Sequence, residues 1–63
     1  MKLVCKTQGD GFLKYPDGAV TVGKTYEIFT DFEIRNTLLF EGDNGVTYKL
    51  IPVWFRKRNK LDD

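Results

Sequence analysis

The chain has no histidine and no serine, and a single cysteine among its 63 residues. Without histidine it lacks the commonest general base and the commonest metal ligand. Ser-His and Cys-His nucleophile pairs are excluded with it. One cysteine, Cys5, allows no internal disulfide and no cysteine-built metal site. Its place in the alternating stretch Leu3-Val4-Cys5 reads as a small buried hydrophobe. No apolar run approaches the ~20 residues of a membrane span. The opening residues MKLVCKT hold no signal-peptide core, because Lys6 ends the apolar stretch. The expectation is a cytoplasmic chain with no enzymatic activity, no cofactor and no membrane partner.

What is present suits a small folded domain. Hydrophobic residues make up 41% of the chain and aromatics 14%, more than a disordered chain carries. A chain of this size forms one domain at most and buries only ~60% of the surface its unfolded form exposes. The net charge is +1, but unevenly placed. Lys49, Arg56, Lys57, Arg58 and Lys60 follow one another with no acid between, and the chain closes on Asp62-Asp63. Before Lys49 the acids outnumber the bases. A basic end on a mildly acidic body suits an anionic partner.

One stretch carries a chemical motif. GAVTVGKT, Gly18 to Thr25, fits the P-loop pattern G-x-x-x-x-G-K-[ST]. That motif works only between a buried strand and a helix whose N-terminus holds the phosphates. Here Lys14-Tyr15-Pro16-Asp17 precedes it and reads as a turn. The residues after Thr25 alternate with period two and read as a strand. The stretch therefore reads as a β-turn at Gly23-Lys24 joining two extended segments.

The rest of the pattern is β throughout. Lys2 to Lys6 reads as a first strand. Thr7 to Gly18 is a long loop punctuated by Gly9, Gly11 and Pro16. Its apolar residues Phe12, Leu13 and Tyr15 are expected to pack down. Tyr15-Pro16-Asp17-Gly18 has the order of a type I turn with proline second. Thr25 to Thr30 places Tyr26 and Ile28 on one face. Asp31 to Glu33 turns the chain, and Ile34 to Glu41 is a further strand. Asp43-Asn44-Gly45 marks a hairpin with two candidate registers. A two-residue loop would pair Leu39 with Leu50. A three-residue loop with Gly45 left-handed would pair Phe40 with Tyr48 and Leu38 with Leu50. Matching apolar faces favours the second. Val46 to Ile51 ends at Pro52, Pro52-Val53-Trp54 fits one 3₁₀ turn, and Phe55 to Arg58 is a last strand. The fold expected is all-β: a small five-stranded SH3-like barrel over residues 1–58, with 59–63 a frayed charged tail. Closure would remove most of the exposed edge.

From Val22 onward, VGKTYEI, a strand, DNG, then Tyr48, Ile51-Pro52 and Trp54-Phe55 resemble a loose group of small phage and prophage proteins with SH3-like barrels. The resemblance implies the fold and a phage-type origin, with no catalytic residues. It also suggests, by analogy of origin, an accessory factor that binds and modulates or inhibits a host protein.

Two functions follow as expectations. In a protein-binding module of this kind the contact would use the long loop and the 3₁₀ region: Tyr15, Pro16, Pro52 and Trp54, with Arg56 and Arg58 beside them. Trp, Tyr and Arg are the types enriched at binding hot spots. Tyr26, Ile28, Phe40, Tyr48, Leu50 and Phe55 are expected to form the core. Neighbours on a strand face opposite sides, so Trp54 and Phe55 are not expected both to point inward, and Trp54 is open between core and contact surface. The alternative is a weak nucleic-acid-binding barrel that uses the aromatic and basic segment from Trp54 to Lys60. The pI of about 7.8 is low for such a domain. Spare sheet edges could also pair two copies as a homodimer.

Overall fold

The computed structural model describes residues 1–31 and 37–59. Strands β1 (Lys2–Cys5), β2 (Thr25–Asp31), β3 (Thr37–Glu41), β4 (Thr47–Lys49) and β5 (Phe55–Lys57) form one five-stranded sheet in the order β4-β3-β2-β1-β5. Every pairing is antiparallel. A 3₁₀ turn, Pro52–Trp54, leads directly into β5. No pairing links β4 to β5 among the described residues, so the sheet is open at those two strands. The expected turn and strand start over residues 32–36 lie outside the described residues, as does the tail from 60 onward. Asp31, expected to open that turn, instead ends β2.

β2 serves two neighbours in turn. Its first residues pair with β1 (Tyr26 opposite Leu3), and its later ones pair with β3 (Ile28 opposite Phe40). The period-two pattern decides what faces inward. Tyr26, Ile28, Phe40, Leu50 and Phe55 are buried, Cys5 with them, while Leu3, Leu38 and Tyr48 pack partly buried against them. Val4 is also fully buried, although it alternates with Leu3 and Cys5 and lies outside this cluster.

The β3–β4 hairpin takes the three-residue loop. Phe40 pairs with Tyr48, and the Leu50 N–H donates to the Leu38 carbonyl at 2.9 Å. Gly45 has φ of 81°, the left-handed position that this loop assigns to glycine. Gly42 closes the loop against its neighbours. A Cβ there would lie 2.7 Å from the Ala19 carbonyl oxygen and 2.8 Å from the Tyr48 ring.

Two turns sit one residue later or earlier than the sequence suggests. The Ala19 N–H donates to the Pro16 carbonyl at 3.0 Å, so Pro16 is the first residue of its turn and Gly18, φ 84°, the third. Proline's fixed φ suits the second position, but the need for a positive φ at Gly18 wins. Likewise the Lys24 N–H donates to the Thr21 carbonyl at 3.1 Å. That turn centres on Val22-Gly23 rather than Gly23-Lys24, with Gly23 at φ 89°.

Candidate functional site

The connection between β1 and β2 is the long loop expected, with no strand of its own, and its first part is braced into a small hairpin. Gly9 and Lys14 form an antiparallel bridge. A Cβ on Gly9 would lie 2.3 Å from the Leu13 carbonyl oxygen and from the Lys14 Cβ, so only glycine lets the two sides approach this closely. At the tip, the Asp10 N–H donates to the Leu13 carbonyl at 3.0 Å. The Asp10 carboxylate accepts the N–H groups of Phe12 at 3.0 Å and Leu13 at 2.9 Å. Short acidic side chains close turns in this way. The Leu13 and then the Phe12 N–H hold the Asp10 carboxyl below its ordinary range. The hairpin stem is held by the Gln8 amide, which donates to the Tyr15 carbonyl at 2.7 Å and to Asp17 Oδ1 at 3.0 Å.

Tyr15 fastens this hairpin to the body. Its ring is buried, edge-on to Phe40 and to Trp54 with centroids 5.3 Å away in each case. Its hydroxyl donates to the Lys49 carbonyl at 2.7 Å and accepts the Ile51 N–H at 3.0 Å. Those are the backbone groups left over where β4 ends. Burial pushes the Tyr15 phenol above its ordinary value.

The result is a turn that presents apolar side chains to water. Phe12 is 102% exposed and Leu13 61%. The expectation that both pack down is overturned. Asp10 takes both their N–H groups into a tight turn that stands off the buried core cluster.

The residues expected to form a contact surface are divided. Tyr15 and Trp54 are core residues, each 5% exposed. Trp54 escapes the alternation rule because it belongs to the 3₁₀ turn, not to β5. It and Phe55 therefore both point inward, and the expected division between them is corrected. Pro16, Pro52, Arg56 and Arg58 are exposed. Arg56 pairs in the sheet with Val4, so it projects from the face opposite to Phe55. Sequence reasoning misses Phe12 and Leu13 as surface residues. The signal for them is Gly9-Asp10-Gly11, a tight-turn composition directly ahead of them.

The P-loop look-alike has a structural occupation. Its lysine, Lys24, pairs with Asp43 of the hairpin loop. Asp43 also accepts the Thr21 hydroxyl at 2.6 Å and the Tyr26 hydroxyl at 3.1 Å. The segment after Lys24 is β2, so a strand stands where a phosphate cradle requires a helix. Lys24, then Thr21, draw the Asp43 carboxyl below its ordinary range. Asp43 in turn raises the Lys24 ammonium.

No pocket opens among the described residues, and no helix among them is long and apolar enough to cross a membrane. Comparison with family models, curated proteins and solved structures gave no match to this chain.

Proposed function

We propose that the chain is a small non-enzymatic binding module of SH3-like barrel type, which acts by docking on another protein. One observation carries the reading: a hairpin bolted to the core by Tyr15 holds Phe12 and Leu13 in solvent. Exposing a phenyl ring costs the free protein the burial that would otherwise stabilise a thin core. A scaffold that rigidly maintains that exposure is organised for a contact. The barrel reading is supported by the strand order, by β2 serving two neighbours and by the 3₁₀ turn before β5. The resemblance to phage-type proteins supports a host protein as the partner, in the bacterial cytoplasm. The test is retention of protein from a bacterial lysate by the immobilised chain, with and without nuclease. A specific protein band that survives nuclease is expected. Recovery of nucleic acid alone would sink the reading.

The nucleic-acid alternative keeps only its charge. Arg56, Lys57 and Arg58 are exposed, but the rings of Trp54 and Phe55, the intended stacking platforms, are buried. Binding by charge alone would be unselective, with a salt slope of about −0.9 per phosphate neutralised.

A further inference from the structure

We infer that the Phe12-Leu13 tip is an apolar plug, and that its partner is a folded protein with an apolar pocket sized for one aromatic ring. The inference rests on the binding-module reading and specifies the chemistry of its partner.

The tip is exposed and braced by its own bonds. The Gly9–Lys14 bridge and the Asp10 bonds fix the turn before any partner arrives. Little loop entropy is then lost on docking. The N–H groups of Asp10, Phe12 and Leu13 are all used within the turn. The two exposed apolar side chains are then the main feature the tip offers a partner. A single ring that projects from a rigid support needs a concave apolar receptor to lose its contact with water.

Charge decides against a lipid surface. Surface-seeking segments combine apolar groups with lysine and arginine. Here the tip carries the Asp10 carboxylate, held ionised by two N–H donors, and the base beside it, Lys14, is paired with Asp17 at 3.6 Å. An anionic membrane would repel this end of the molecule, whereas a protein pocket with donor or basic groups on its rim would complement it. A second copy of the chain offers no pocket among the described residues to receive the ring.

The test uses the full chain with a benzophenone amino acid at position 12, irradiated in bacterial lysate treated with nuclease. A control carries the same group at Val53, an exposed position on the 3₁₀ turn. Unlabelled wild-type chain and the Phe12→Asp variant serve as competitors, and mass spectrometry maps the cross-linked residue on the partner. The expected result at position 12 is one dominant protein adduct that maps to an apolar concavity. Wild type should suppress it at a concentration about 30-fold lower than Phe12→Asp does. Equal suppression by the two competitors overturns the plug. So does a diffuse set of adducts that nothing suppresses. If only the Val53 probe gives an adduct, and both competitors suppress it alike, the binding-module reading stands and the plug fails. If neither probe gives a suppressible adduct, both fail. Two further arms guard the assignment. Phe12-dependent flotation with vesicles containing anionic lipid would move the site to a membrane. Phe12-dependent self-association in sedimentation would move it to a second copy.

Discussion

Tyr15 shows how much one side chain can carry in a thin core. It supplies an aromatic ring to the centre and a hydroxyl that reaches both the Lys49 carbonyl and the Ile51 N–H. Tyr15→Phe keeps the ring and leaves those two backbone groups without their partner, at a cost of about 1–3 kcal/mol. A small core of this kind rarely supplies more than about 3–5 kcal/mol in total, so a large fall in the urea midpoint is expected. A midpoint unchanged from wild type would show that water satisfies those groups equally well. Trp54 and Phe55 are both buried, and alanine at either position removes about 3–5 kcal/mol. Both variants should be largely unfolded by circular dichroism at room temperature. A folded Trp54→Ala variant would contradict the inward facing of that ring.

At the level of elements, the β3–β4 hairpin is legible in the amino-acid order alone. A one-residue slip would put Leu39 opposite Leu50 and turn Phe40 away from the core, so face matching selects one register. The alternation of Thr25 to Thr30 is legible for the same reason. The β1–β2 connection is not. Gly9-Asp10-Gly11 signals a tight turn, but not whether that turn folds Phe12 and Leu13 over the sheet or stands them off it. The difference lies in three-dimensional facts: the Gly9–Lys14 contact and the Tyr15 hydroxyl bonds. Trp54 defeats the sequence pattern because period two does not extend from β5 back into a 3₁₀ turn. The hairpin also yields a comparison of two glycines. Gly45→Ala meets open space but keeps a positive φ, which costs about 1–2 kcal/mol. Gly42→Ala drives a methyl into the Ala19 carbonyl and the Tyr48 ring, so its melting temperature should fall further. Equal melts for the two would mean that the hairpin shifts freely away from the loop before β2.

For the whole molecule, the ionisable groups set a window of stability. Asp10, Asp17 and Asp43 are all lowered, by the Leu13 N–H, the Gln8 amide and the Lys24 ammonium first among their causes. A carboxyl lowered on folding stabilises the native state above its unfolded value, and loses that contribution as pH falls through the folded one. Melting temperature should therefore fall as pH drops below about 4. Asp43→Asn should be less stable at neutral pH and show a shallower acid decline. At the other end, burial raises Cys5, Tyr15 and Tyr26. Groups raised on folding contribute fully below their unfolded values and lose that contribution as pH climbs through the folded ones. The melt should weaken above about pH 9–10, where unfolded thiols and phenols ionise. A flat profile from pH 2 to 11 would refute both arms.

The place of β1 in the sheet has a consequence in time. It is the second strand from one edge, flanked by β2 and by β5, with Leu3 opposite Lys57. On a ribosome β1 emerges well ahead of β5, and waits for it before its second neighbour exists. Until then Leu3, Val4 and Cys5 offer an unpaired, largely apolar strand to any other nascent chain, the situation in which β proteins aggregate. Pairing across so much of the chain also slows closure relative to hairpin formation. Translation arrested before Phe55 should yield a chain that is digested by protease at once. Release of the same chain past Lys57, with a spacer long enough to clear the exit tunnel, should make it abruptly resistant. Protection that grew gradually as β3 and β4 emerged would show that the β2–β3–β4 half folds without waiting for β5.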